Sequence, residues 1–382
     1  MFGARAIGAF VTWLRPSPDR VAVWLTPFSA QVDTNDEFGF ERVSHPTEIG
    51  QRRVRPSQRD RAGAITVRWV RVCVIGSGSL GSAIGGTLAA AGNDVVLVTR
   101  NRAHVDAVNT HGLVMHDGEL ECSVAVQATT SYEALATVDL AIVLVKSFDT
   151  QGAAEAMAPV LGPDATVLSL QNGVGCEEMI ANVIGRDRVV AGRTFIGGRI
   201  TAPGVVEFGV IGRRTTIGEL DGSPTERIRR IAGTFERAGM AVDVSTDIDV
   251  MMWEKLLVNV ATGAWSALTG LPYGELSIHP EVEPLAIATV AEAIEVACRL
   301  GIEIVTTDPE VPWRRAWEGL PYGFKASMLQ SIEKGSQTEV DVIHGAVCRG
   351  GREAGVPTPI NDTLLAAVKG LEHRLRLNRK PS

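Results

Sequence analysis

The chain has 382 residues, of which 45% are hydrophobic, 21% charged and 5% aromatic, with a formal net charge of −7. That length suits two domains, and the hydrophobic share is enough to bury large cores, which excludes a disordered polypeptide. The acidic balance and scarce aromatics exclude a broad nucleic-acid or anionic-membrane surface, so any anion bound must be held by local groups and the expected ligand is small.

The five cysteines, Cys73, Cys122, Cys176, Cys298 and Cys348, are scattered and never paired as CxxC. They fit neither a disulfide framework nor a zinc site, so no metal is expected and a reducing cytoplasm is the expected location. No apolar run reaches the roughly 20 residues that span a bilayer, and the opening segment lacks the small-residue cleavage pattern of a signal peptide.

Residues 1–69 carry ten arginines, no lysine and three of the seven tryptophans, with no helical or strand period. They are expected to form a poorly structured extension ahead of the first domain. The punctuation becomes regular at Val70. RVCVIG (71–76) is a short apolar run, SLGSAIGGTLAAAG (79–92) a small-residue helix ending in glycine, and DVVLVTR (94–100) a second β-branched run, which together make a βαβ unit. Further strands are expected over 139–147 and 165–171, as continuous apolar runs typical of parallel strands buried on both faces. The segment 186–219 is strand-like and Gly-rich. SPTERIRRIAGTFERAGM (223–240) reads as a helix with Ser223 as its N-cap and a glutamate three residues later.

These elements predict a doubly wound α/β domain of Rossmann type over 70–246. Beyond it the apolar spacing turns to long helical periods in MMWEKLLVNVATGAWSAL, EVEPLAIATVAEAIEVACRLG and SMLQSIEKGSQTEVDVIHGAVCRGGREAG. An all-helical second domain is therefore expected over 247–382, ending in a frayed basic tail at RLRLNRKPS.

The glycine-rich turn Gly76–Ser77–Gly78–Ser79–Leu80–Gly81 follows a predicted strand and opens a predicted helix. In that context Gly76 permits a tight turn, Gly78 lets the backbone approach a pyrophosphate at the helix N-terminus, and Gly81 allows close helix–strand packing. An NAD site would place an Asp or Glu at the end of the second strand. The residues there are Thr99, Arg100, Asn101 and Arg102, and a guanidinium at Arg100 can pair with a 2'-phosphate, so NADPH is the expected cofactor.

Lysine is the rarer cation, six of 37 basic residues. Where it persists, a compact ammonium able to release a proton is a plausible requirement. Lys146 ends an apolar strand at the edge where doubly wound sheets bind ligands, and Lys255 lies in an otherwise apolar helix. Asn172, in LQNGVG, also follows a strand and precedes a helix. Asn259 shares a helix face with Lys255, and Glu339 lies in a segment read as helical, twelve residues after Ser327.

VCVIGSGSLG, LVKSFDT, LQNGVG, WEKLLVNVATGAWSALTGLPYGEL and SMLQSIEKGSQTEVDVIHG occur in the order and spacing of the ketopantoate reductase (2-dehydropantoate 2-reductase) family, which the chain resembles from about Val70 to about residue 375. The resemblance implies an N-terminal Rossmann domain, a helical C-terminal domain like that of 6-phosphogluconate dehydrogenase, and a substrate cleft between them. It further implies that Lys255 is the general acid and that Asn259 and Ser327 bind substrate. Asn172 would touch both substrate and cofactor, and Lys146 and Glu339 would contact the cofactor side.

The implied reaction is NADPH-dependent reduction of 2-dehydropantoate to (R)-pantoate, toward pantothenate and coenzyme A, by a protein compatible with homodimer assembly. Gly263 and Tyr273 depart from the family pattern, standing where asparagines often hold the substrate. A 2-hydroxyacid dehydrogenase acting on another 2-keto acid is thus the nearest alternative, and a non-catalytic dinucleotide sensor an alternative of another class.

Overall fold

The computed structural model describes residues 71–118, 120–133, 135–209 and 213–379. The expected N-terminal extension lies outside the described residues.

The chain opens as read, with β1 (Arg71–Ile75), α1 (Ser79–Ala90) and β2 (Asp94–Val98). After α2 (Arg102–His111) come three short strands that the sequence reading passed over: β3 (Leu113–Asp117), β4 (Leu120–Val124) and β5 (Gln127–Thr129). Then follow β6 (Val138–Val143), α3 (Thr150–Met157), β7 (Leu161–Ser169), α4 (Cys176–Ile184) and β8 (Val189–Thr194). The Gly-rich stretch resolves into β9 (Gly197–Ala202), β10 (Val205–Gly209) and β11 (Arg214–Glu219), before α5 (Glu226–Arg237) and β12 (Ala241–Val244).

Among the described residues these strands form two sheets. The larger runs β12-β11-β8-β7-β6-β1-β2-β5, parallel except where β11 meets β8. Its parallel strands carry continuous apolar runs because helices cover both faces, and Val72, Val74, Leu140, Ala141, Ile142 and Val167 are buried. The order reverses at β1, whose neighbours are β2 on one side and β6 on the other. The connections leaving β1 and β6 therefore turn to opposite faces of the sheet, which opens the crevice where such sheets take ligands.

The smaller sheet, β4-β3-β10-β9, packs against the outer side of α1. This explains the small residues of that helix. A Cβ on Gly85 would lie 2.4 Å from Leu97 Cδ2 under the large sheet, and one on Gly86 would lie 2.4 Å from Met115 Sδ of the small one.

From α6 (Ile248–Thr269) onward the described residues are helical: α7 (Tyr273–Leu276), α8 (Glu283–Arg299), α9 (Glu310–Arg315), α10 (Ser327–Glu333), α11 (His344–Ala354) and α12 (Pro359–Arg379). Leu257, Val260 and Ala264 of α6 pack with Val290 and Ala293 of α8 and with Leu364 and Val368 of α12 in one buried cluster. At its start α6 also reaches the sheet, where Ile248 and Met252 bury against Ala191 of β8.

Three local readings are corrected. The N-cap of α5 is Thr225, whose hydroxyl accepts from the Ile228 amide at 3.4 Å. Ser223 instead donates to Asp221 in the preceding turn, separated from the helix by Pro224. The basic tail is helical through Arg379 as the end of α12.

Most consequential, the stretch from Ser327 to Gly355 is not one helical run. Gly335, at φ +62°, stops α10, and the Thr338 amide and hydroxyl are held by the Glu372 carboxylate at 2.7 and 2.6 Å. The chain resumes in a 3-10 turn at Val340–Val342. Glu339 thereby sits in a connection and not on a helix face, aimed at the sheet edge.

That connection is gripped by the turn after β7. The Val174 amide donates to Val342 O at 3.0 Å, and Gly173, at φ +85°, leaves no room for a Cβ, which would lie 2.4 Å from the same oxygen. Gly173→Ala is expected to destabilise the fold by more than the about 1–2 kcal/mol of a left-handed L-residue, because steric overlap adds to it. Urea denaturation measures this, and an unchanged midpoint would mean that the turn and the 339–342 segment are not packed as described.

Candidate active site

The glycine turn is fixed from below. The amides of Gly76 and Ser77 both donate to Val98 O at 2.9 Å, which ties the turn after β1 to the end of β2. Gly76 has φ +94°, and a Cβ there would lie 2.4 Å from the Val145 amide nitrogen. One on Gly81 would lie 2.5 Å from Gly76 O. Both glycines serve protein packing. Gly78 differs, since a Cβ there meets nothing closer than Gly76 O at 4.0 Å. It borders open space as the N-cap of α1, and no side chain caps that helix end. Its first-turn amides are thus available to an anion, and the cradle fits a pyrophosphate.

Around this turn lies a cleft of about 960 Å³. Gly76, Gly78, Ser79, Leu80 and Gly81 line it, as do Arg100 after β2, Lys146 after β6, Asn172 after β7, and Ser327 and Glu339 from the helical part. The structure therefore brings to one cleft residues separated by up to 263 positions in sequence. Ser77 does not line it. It is buried, and its hydroxyl donates to Val74 O at 3.2 Å.

Lys146 Nζ and Glu339 Oε2 are 2.8 Å apart, joining the sheet edge to the helical part across 193 residues. Glu339 is only 6% exposed, so its carboxylate depends on this partner and on the Ser147 amide at 3.4 Å.

Lys255 and Asn259 lie beside the cleft and not among its lining residues. The Lys255 ammonium donates to Thr194 O, the last residue of β8, at 2.8 Å and stands 5.6 Å from the centre of the Phe195 ring. Ile196, two residues on, does line the cleft. The Lys255 side chain is partly buried. Burial, aided by the Arg193 guanidinium and opposed by Glu339, brings its pKa down to about 8. One N–H is engaged by Thr194, leaving two protons for a ligand oxygen. Asn259, one turn along α6, makes no side-chain hydrogen bond among the described residues and is partly exposed.

At the departures, a Cβ on Gly263 would lie 3.4 Å from Met328 Cε, and the Tyr273 hydroxyl meets Thr262 Oγ1 at 3.4 Å with its ring 5.8 Å from that of Phe324. Aromatic and thioether side chains pack around these two positions.

Sequence reasoning missed several groups. Gln171 is buried, and its amide donates to Val145 O at 2.9 Å and to Thr150 Oγ1 at 2.7 Å, fixing the loops that carry Lys146 and Asn172. Thr194 and Phe195 come from a strand end that carried no motif. Asp149, within LVKSFDT, was visible as a carboxylate at a strand's carboxyl edge, and its carboxylate takes two bonds from Arg100. A carboxylate therefore does reach Arg100, from the turn after β6 and not from the end of β2. Arg102, by contrast, does not line the cleft.

Among the described residues, no helix is long and apolar enough to cross a membrane, and no group of three or more His, Cys, Asp or Glu side chains is placed to hold a metal ion.

Family models described as ketopantoate reductase PanE/ApbA and as the C-terminal part of the same family match residues 72–222 and 247–372. A 2-dehydropantoate 2-reductase from Halobacterium salinarum is 34% identical over 302 residues, which cover 78% of this chain and 98% of that protein. One from Archaeoglobus fulgidus is 34% identical over 310 residues, covering 81% and 100%. The crystal structure of a PanE/ApbA family ketopantoate reductase from Ralstonia eutropha superposes with a TM-score of 0.74 at 33% identity, covering 80% of this chain and 99% of that one.

Because Gly78 alone of the three loop glycines faces open space, Gly78→Val is expected to separate binding from folding. Its melting temperature should stay within a few degrees of the parent, while affinity for NADPH and NADH falls at least about tenfold as the side chain occupies the pyrophosphate path. Unchanged dinucleotide affinity, read by nucleotide fluorescence, would remove the loop from the cofactor site.

Proposed function

The chain belongs to the ketopantoate reductase PanE/ApbA family of dinucleotide-binding oxidoreductases, and on that premise we propose that it reduces 2-dehydropantoate to (R)-pantoate with NADPH, using Lys255 as the proton donor. The observation that carries this reading is the Lys255 ammonium, held on Thr194 O beside the cleft with two protons uncommitted and a pKa brought down to about 8.

A reduced dinucleotide held in the cleft would supply the hydride for the keto carbon. Lys255 meets the negative charge that develops on the carbonyl oxygen and transfers a proton to it, so that keto acid, hydride and proton give the 2-hydroxy acid. A pKa near 8 keeps the amine largely protonated at neutral pH while easing release of the proton. Asn259 and Ser327 bind the substrate in this reading, and Asn172 spans substrate and nicotinamide ribose. Lys146 and Glu339 border the cofactor. The turn from Gly76 to Gly81 takes the pyrophosphate and Arg100 the 2'-phosphate. We assign residues 70–246 to the cofactor domain and 247–382 to the substrate domain.

A second reading, reduction of a different 2-keto acid, draws on Gly263 and Tyr273. Loss of amide donors from a polar substrate group can cost about 1–3 kcal/mol, enough to redirect preference to another acid. A panel of 2-keto acids followed at the NADPH absorbance separates the two readings. Turnover of 2-dehydropantoate at least as efficient as that of any other acid supports the first, and a clear preference for another acid supports the second.

In either case Lys255→Ala is expected to lower kcat by about two to four orders of magnitude with NADPH affinity little changed, since the interaction strengthens as the alkoxide forms. Lys255→Arg keeps the charge but cannot readily release a proton, and should also be inactive while still binding keto acid. Near-normal turnover by Lys255→Ala on every acid tried would remove Lys255 from the chemistry.

A further inference from the structure

The adenosine end of the cleft holds two opposite charges where one was expected. Arg100 leaves the end of β2, and its guanidinium meets both oxygens of Asp149, Nη1 to Oδ1 at 3.2 Å and Nη2 to Oδ2 at 2.6 Å. Both residues line the cleft, together with Thr99, Asn101 and Tyr132. Asn101 has its side-chain oxygen committed to the His104 amide at 3.2 Å as the N-cap of α2.

The two partners are held very differently. The Arg100 side chain is 84% exposed and that of Asp149 27%. Asp149 closes the 3-10 turn that begins beyond Lys146, with its amide bonded to Lys146 O at 2.8 Å, and the next residue, Thr150, is buried and takes the Gln171 amide. Asp149 is therefore the fixed member of the pair, and Arg100 is free to swing.

We propose that Asp149 sets the cofactor preference of this chain by weakening selection for NADPH and admitting NADH, an inference that rests on the assignment of the cleft as the dinucleotide site. In doubly wound sheets the adenosine ribose lies beside the end of the second strand, where a carboxylate binds its 2'-hydroxyl and a guanidinium its 2'-phosphate. Here both groups are present, and each ligand uses one of them. With NADPH, Arg100 turns outward to the phosphate, and Asp149 loses its partner while facing a second negative group. With NADH, Arg100 stays on one carboxylate oxygen, and the remaining lone pairs accept the 2'-hydroxyl. The sequence displays both residues but not their pairing, because they lie 49 positions apart.

The test compares NADPH and NADH binding, read by nucleotide fluorescence without keto acid, in the full chain and in Asp149→Asn, Asp149→Ser and Arg100→Ala. Removing the carboxylate should raise the ratio of NADPH to NADH affinity about tenfold, the size expected when one like charge is removed beside a phosphate at a partly exposed site. Part of that change should come from weaker NADH binding. Arg100→Ala, which leaves Asp149 alone, should move the ratio toward NADH. If both Asp149 variants bind both dinucleotides with the parent ratio, or with one shifted toward NADH, the proposal is overturned. Because no keto acid is present, a wrong substrate assignment leaves this outcome untouched, whereas failure of the parent chain to bind either dinucleotide overturns this proposal and the cofactor-site assignment together.

Discussion

The ion pair between Lys146 and Glu339 is the constraint on which the site depends. A parallel sheet that reverses its strand order creates a crevice at its carboxyl edge, but a crevice open on one side is not an active site. The other wall comes from the helical part, and the segment 339–342 brings it there. Glu339 is buried against the sheet edge, where its carboxylate is stable only if Lys146 and the Ser147 amide satisfy it. The turn at Gly173 adds a backbone bond to Val342. A break in the helical run, stopped at Gly335 and pinned by Glu372, frees Glu339 to make this contact. The chemistry of the cleft thus follows from where a helix ends.

The same arrangement acts on Lys255. Its helix, α6, packs into the helical core along most of its length and touches β8 near its start, so the ammonium sits where the two halves meet. Burial and Arg193 weaken its hold on the proton, and Glu339 works against both. One carboxylate therefore closes the cleft through Lys146 and tunes the donor through Lys255. Gln171 supports both ends by tying the loop after β6 to the strand that leads to Asn172.

Much of this was legible in the sequence where the signal is local. The strand, glycine turn and helix at 71–90 carry their own punctuation, and the lysines stood out against a chain that otherwise uses arginine. The second sheet was not legible, because β3 and β4 are short and β3 meets β10 only through space. The interruption at 334–339 was read through as helix. Gly335 is a local sign of the stop, but the grip of Glu372 on Thr338, 34 residues away, leaves no mark in the local pattern. Arg100 was read as a cation without a neighbouring carboxylate, which was true of its neighbours in sequence and untrue of its neighbours in space. Long-range polar contacts set the details of this site, and apolar periodicity does not report them.

If Lys255 donates the proton and burial lowers its pKa against the pull of Glu339, the pH dependence of kcat/KM for keto-acid reduction carries both facts. The reaction needs the protonated amine, so kcat/KM should fall as pH rises through about 8, the value to which the protein lowers this lysine. Glu339 favours the charged form, so Glu339→Gln should move that basic limb to lower pH, while an ordinary lysine would titrate at about 10.4. A basic limb near 8 that shifts downward in the variant is the predicted result. A profile flat to about pH 10, or a limb that Glu339→Gln leaves in place, would contradict the account.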